Sequence, residues 1–150
     1  MKPFDVYAYG VISSSTLYLL KQPFPKPDEY AEIASVYTMT GGEALNSSIV
    51  LSRLGKRCLL DGNWIGDHAE GHALIERINS YNIDTSRLSI VPGYPGVTEI
   101  VFSDDNTRTI FGTYIDLLTT TRKWNIPNPE DFELAELICI DPPFGPESAL

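Results

Sequence analysis

Cations are scarce in this chain of 150 residues: 11 Lys and Arg stand against 20 Asp and Glu, for a net charge of −9. That balance excludes non-specific binding to nucleic acid or to an anionic membrane, because a phosphate-rich surface would repel it. A small anionic ligand held by local dipoles remains compatible. Long apolar runs are missing too, so no segment is suited to span a bilayer. The first residues, Met1-Lys2-Pro3-Phe4-Asp5, lack the basic and apolar regions of a secretory leader, and a cytoplasmic protein is expected. The two cysteines, Cys58 and Cys139, sit in apolar runs without metal-ligand spacing and read as buried free thiols. His68 and His72, at i and i+4, lack the nearby thiols or glutamate that would make a metal site and read as surface residues.

The composition that is present, 43% hydrophobic and 21% charged, is that of an ordinary globular protein, and the length suits one domain with a real core. Asp5 to Ile12 reads as a strand running into a serine-rich loop, and Thr16 to Leu20 as a further extended segment. Three prolines within Pro23 to Pro27 preclude a helix there. Ala34 to Thr40 is a short β-like run. A helix over Glu43 to Leu54, closed by Gly55, follows it, and Arg57 to Asp61 reads as a buried strand. Asp67 and Glu70 have the spacing of a capping box for a helix that places Leu74, Ile78 and Tyr81 on one face. Alternation of this kind predicts an α/β domain with parallel strands.

Val97 to Ser103, the turn Asp104-Asp105-Asn106, and Thr107 to Tyr114 predict a hairpin. With residues 16–20 and 34–39 it would form a small separate sheet. Pro127, Pro129, Glu130 and Asp131 read as a boundary before a buried strand, Leu137 to Ile140, that ends at Asp141. The chain then stops at Pro146 to Leu150, where a helix has barely begun, an ending that suggests a cut chain.

The most informative stretch is Gly41-Gly42-Glu43-Ala44-Leu45-Asn46-Ser47-Ser48. Paired glycines before an apolar helix let a ligand approach the backbone, and the free N–H groups of the helix start can grip it. Asn46, one turn in, offers both a donor and an acceptor. The same residues could also make only a strand-to-helix turn with a local cap. A dinucleotide-binding loop is a poor reading, because Gly41-Gly42 does not fit G-x-G-x-x-G.

Together with Gly55, Gly62 and Gly66-Asp67-His68-Ala69-Glu70-Gly71, this stretch resembles the first signature of the ribokinase/PfkB family of carbohydrate kinases. One extra residue between Gly62 and Gly66 departs from the family pattern. Asn82 to Ser86 and Asn106 to Thr109 are similar to further family landmarks. The resemblance covers the N-terminal half of a family member only. It implies a ribokinase-like fold, a partial Rossmann-like α/β/α sandwich over residues 1–150, with lid segments at about 16–40 and 97–114 and the C-terminal ATP-binding half absent.

On that resemblance Gly41, Gly42 and Asn46 would bind the sugar, and Asp141 falls where an acidic sugar-contacting residue occurs. Ser13 and Ser15 are further substrate candidates. Ser15 stands where the family places an Asp, which implies a changed substrate or weakened catalysis. Ile100, Phe102, Ile110 and Tyr114 would close over the ligand or pack another subunit, so a homodimer could form through the lid. Arg108 reads as balancing Asp104 and Asp105. The implied activity is transfer of the ATP γ-phosphate to a hydroxyl of a sugar or nucleoside, with Mg²⁺ and ATP as cofactors of a full-length parent. The family's glycine-rich loop with its catalytic Asp has no counterpart here. No catalytic, cofactor-binding or metal-binding residue is therefore assigned, and the chain alone is expected to be inactive. The alternative is a non-catalytic sugar-binding or regulatory relative.

Overall fold

A computed structural model describes residues 2–114, 117 and 123–141. The stretch at 146–150, read above as an unfinished helix, lies outside the described residues. The central strand β1 (Phe4–Gly10) is flanked on both sides by parallel partners, β4 (Cys58–Gly62) and β9 (Ala135–Ile140). A strand paired on both edges and covered on both faces must be apolar throughout, which the run Val6-Tyr7-Ala8-Tyr9 satisfies.

Alternation along the strands divides the core in two. Val6 and Ala8, with Cys58 and Leu60, face helices α1 (Glu43–Arg53) and α2 (Ala69–Asn79), which contribute Ala44, Leu45, Leu74 and Ile78. Tyr7, Tyr9 and Leu59 face the other way and pack with Leu117, Trp124 and Ala135. The Tyr7 ring meets Phe132 edge-on, with centroids 5.4 Å apart. Both faces of β1 and β4 are therefore buried, as in an α/β layered fold.

A second, four-stranded sheet stands above the carboxyl ends of these strands. Its order is β3 (Ile33–Gly41), β2 (Ser13–Leu20), β7 (Thr98–Ser103) and β8 (Arg108–Gly112). Strand β2 runs antiparallel to β3 and parallel to β7, and β7 and β8 form the hairpin. A short parallel pair, β5 (Ile65–Gly66) with β6 (Ile90–Val91), lies near α2.

Several expectations are corrected. The serines are not a loop: Ser13, Ser14 and Ser15 are buried in β2, because its ladder with Gly41, Thr40 and Met39 begins at Ser13. Helix α2 is capped by His68, whose Nδ1 accepts from Gly71 N, while Asp67 turns outward to His72 at 2.8 Å. Tyr81 lies beyond the end of α2. The proline-rich boundary is a short helix, α3 (Pro129–Glu133), started by Asn128 and tied down by Asp131 to Arg87 at 2.6 Å. Among the described residues β9 ends the strand order and, unlike β1 and β4, is not packed on by α1, so Leu137 is 66% exposed rather than buried. Cys139, on the same strand, is only partly buried.

The two sheets join at Val11-Ile12, where β1 hands over to β2. Side chains satisfy the backbone at this bend. Ile12 N donates to Asn63 Oδ1 at 2.7 Å, and Asn63 Nδ2 donates back to Ile12 O at 3.0 Å. Val11 N donates to Asp141 Oδ2 at 3.1 Å. Asn63 is fully buried, so its loss would leave two backbone groups unpaired away from water. Asn63→Ala is expected to cost roughly 2–4 kcal/mol, read as the shift in urea midpoint.

Asp61, at the end of β4, is also buried. It accepts from Tyr7 Oη, Asn125 Nδ2 and Gly62 N, each at 2.7 Å. Burial nevertheless holds its carboxyl above the usual range, with these hydrogen bonds opposing the shift. The folded state thus binds this proton more tightly than the unfolded chain, and ionisation opposes folding as pH rises through the raised value. Asp61→Asn, which cannot ionise, should gain stability relative to the parent between about pH 4 and about pH 7. Urea unfolding at both pH values checks the sign.

Candidate acceptor site

Between the start of α1 and the underside of the second sheet lies a cavity of about 630 Å³. Its floor comes from the strand-to-helix turn Gly41-Gly42-Glu43 and from Asn46. Gly42 has φ of 92°, and a Cβ there would overlap the Val11 carbonyl oxygen, so only glycine brings α1 this close to the sheet junction. Among the described residues no side chain caps α1. The Asn46 backbone N–H bonds to Gly42 O at 2.9 Å, while its side-chain amide bonds to no other described residue and faces the cavity. The local-cap alternative is therefore not what the fold adopts.

The roof follows from register. Ser15 lies opposite Glu99 across β2 and β7, and Leu17 opposite Val101. Val101 in turn lies opposite Ile110, and Ser103 opposite Arg108. These residues point to one face of the sheet, giving a polar row nearest the floor, an apolar row, and an outer row with Arg108. Tyr114 closes one side. The Ser15 hydroxyl donates to Glu99 Oε2.

The six candidate residues do not share one place. Gly41, Gly42, Asn46 and Ser15 line the cavity. Ser13 lies just behind it, fully buried, and its hydroxyl has no hydrogen-bond partner among the described residues. Asp141 also lies behind, holding the Val11 N–H next to Glu43. Burial chiefly raises the Asp141 carboxyl above its ordinary range; the charge of Glu43 adds to this and the Val11 hydrogen bond opposes it.

On the hairpin, Ile110 and Tyr114 face the cavity, whereas Ile100 and Phe102 sit on the opposite face. There Phe102 stacks on Tyr18 at 5.2 Å. Arg108 does not pair with Asp104. That carboxylate is engaged by the backbone N–H groups of Asn106, Thr107 and Phe24, which hold it below the usual range. Arg108 lines the cavity instead. Sequence reasoning missed Glu99. Alternation along β7 places 99, 101 and 103 on one face, but only the pairing with β2 shows which face meets the site.

A parallel sheet with helices on it, a second sheet above its carboxyl-terminal edge and a cavity between them define an α/β architecture. The family model for the pfkB family carbohydrate kinase matches residues 7–142, and the chain belongs to that family. Solved structures of similar fold include a ribokinase candidate from Agrobacterium tumefaciens, with TM-score 0.77 and 23% identity over 91% of this chain and 44% of that one. A ribokinase from Cryptococcus neoformans var. grubii serotype A in complex with ADP gives 0.72 and 19% identity, over 98% and 45%. A nucleoside kinase from Methanocaldococcus jannaschii, an archaeal member of the ribokinase family, gives 0.69 and 20%, over 93% and 44%. The chain thus spans less than half the length of these proteins. No curated protein matches it.

Gly41 tests how tightly the site is built. A Cβ at this position would overlap the side-chain oxygens of Ser13, Ser15 and Glu99. Gly41→Ala is expected to cost about 1–3 kcal/mol through overpacking, measured by thermal unfolding.

Proposed function

We propose that the cavity holds the phosphate acceptor, a sugar or nucleoside, of an ATP-dependent carbohydrate kinase, and that this chain supplies the acceptor side of that enzyme. One observation carries the reading: the glycine-pair backbone and the free amide of Asn46 converge with Ser15 and Glu99 in a single cavity. Such a set offers donors and acceptors in excess of its charge, the chemistry that recognises hydroxyl groups. Leu17, Val101 and Ile110 add an apolar surface for a ring.

The family implies ATP and Mg²⁺, and the cavity residues do not fit a triphosphate. Two carboxylates, Glu43 and Glu99, face the space against one guanidinium, Arg108. Repulsion would outweigh the attraction of a single cation. No phosphoryl-transfer step is therefore assigned to residues of this chain. Their work is to bind the acceptor, orient its hydroxyl and exclude water from it.

A ligand at a hundred times its Kd would add about 2.7 kcal/mol to the stability. Thermal unfolding with D-ribose, D-fructose and inosine is expected to show stabilisation by at least one of them. Asn46→Ala should reduce that shift while leaving the unliganded midpoint close to the parent's. A variant stabilised as well as the parent would sink the reading.

A further inference from the structure

Three side-chain oxygens crowd the space above Gly41: Ser13 Oγ, Ser15 Oγ and Glu99 Oε2. The backbone approaches them only because Gly41 has no Cβ. Ser13 Oγ is buried and, among the described residues, without a partner, although buried hydroxyls are ordinarily paired. Glu99 accepts a hydrogen bond from Ser15 and, among the described residues, pairs with no cation. Arg108, a cation that lines the same cavity, forms no ion pair with it. It stands opposite Ser103, four residues from Glu99, or roughly 13 Å at the usual rise of a strand. A carboxylate held by one hydroxyl keeps most of its acceptor sites free, and here they open into the cavity.

Resting on the acceptor-site reading above, we propose that Glu99 determines acceptor specificity. Its carboxylate, fixed by Ser15, accepts hydrogen bonds from the hydroxyls of an uncharged polyol and repels an acceptor that carries an anion at that end. Bonds from hydroxyls to an ionised carboxylate are about twice as strong as neutral ones, so this residue outweighs its serine neighbours in selectivity. Ser15 is a positioning residue, holding the carboxylate toward the floor. Because Ser15 and Glu99 are direct cross-strand partners on the same face, a carboxylate moved from one to the other stays in the same row.

Calorimetric titration of the protein carrying this chain with D-ribose, D-fructose, inosine and D-ribose 5-phosphate tests the assignment. The parent is expected to bind at least one uncharged probe and to discriminate against the phosphate. Glu99→Gln, which keeps the shape and an acceptor for Ser15, should weaken that binding by roughly tenfold or more and relax the discrimination. The double variant Ser15→Asp/Glu99→Gln should recover it to within about threefold of the parent. Unchanged binding by Glu99→Gln, while Asn46→Ala abolishes it, overturns the role of Glu99 and leaves the acceptor site standing. Failure of the double variant to recover a loss also overturns it. If no probe binds the parent, or Asn46→Ala binds as the parent does, the acceptor site itself falls, and the specificity role falls with it.

Discussion

Everything above the main sheet depends on how the backbone is satisfied at Val11-Ile12. A strand leaving one sheet for another passes through a bend where neither ladder can pair its polar groups, and a buried unpaired group is costly. Asn63 grips both polar groups of Ile12, and Asp141 takes the Val11 N–H. The Val11 carbonyl lies so close to Gly42 that any side chain there would strike it. The bend therefore fixes three things together: the direction of β2, the seat of α1, and the gap between them that becomes the cavity.

The roof sheet is asymmetric for a physical reason. Its inner face carries a polar row where it meets the glycine turn and an apolar row farther out. Its outer face gathers aromatic rings, Tyr18, Phe24, Phe102 and Phe111, whose contacts lie between 5.2 and 6.0 Å. Such contacts stiffen a small sheet on which the helices pack only lightly. A stiff roof holds the Ser15–Glu99 pair in register without any covalent tie, and register decides which side chains reach the site.

Acidity runs through the molecule at two depths. Asp61 sits buried at the end of β4, held by Tyr7, Asn125 and the Gly62 N–H, and serves the fold. Glu99 sits in the cavity wall and is held by one hydroxyl only. The number of hydrogen bonds each carboxylate already accepts separates a structural acid from one with capacity left for a ligand. Asp141 also accepts one hydrogen bond, but from the backbone N–H of Val11 at the bend, so its bond serves the fold.

The sequence by itself determined the local elements. Gly41-Gly42 before an apolar run marks a helix start, Gly55 its end, and Asp104-Asp105-Asn106 a hairpin turn, because backbone freedom and short-range hydrogen bonds decide these within a few residues. It also carried the family, through the spacing of its glycines. Only the tertiary structure decided which distant side chains meet. Ser15 and Glu99 are 84 residues apart, Asn63 and Ile12 are 51 apart, and Val11 and Asp141 are 130 apart. The serines looked like a loop because nothing local shows that β3 and β7 pair on either side of them. Pairing across such separations follows from sheet register and two-sided burial, which are properties of the whole packed chain and not of any window within it.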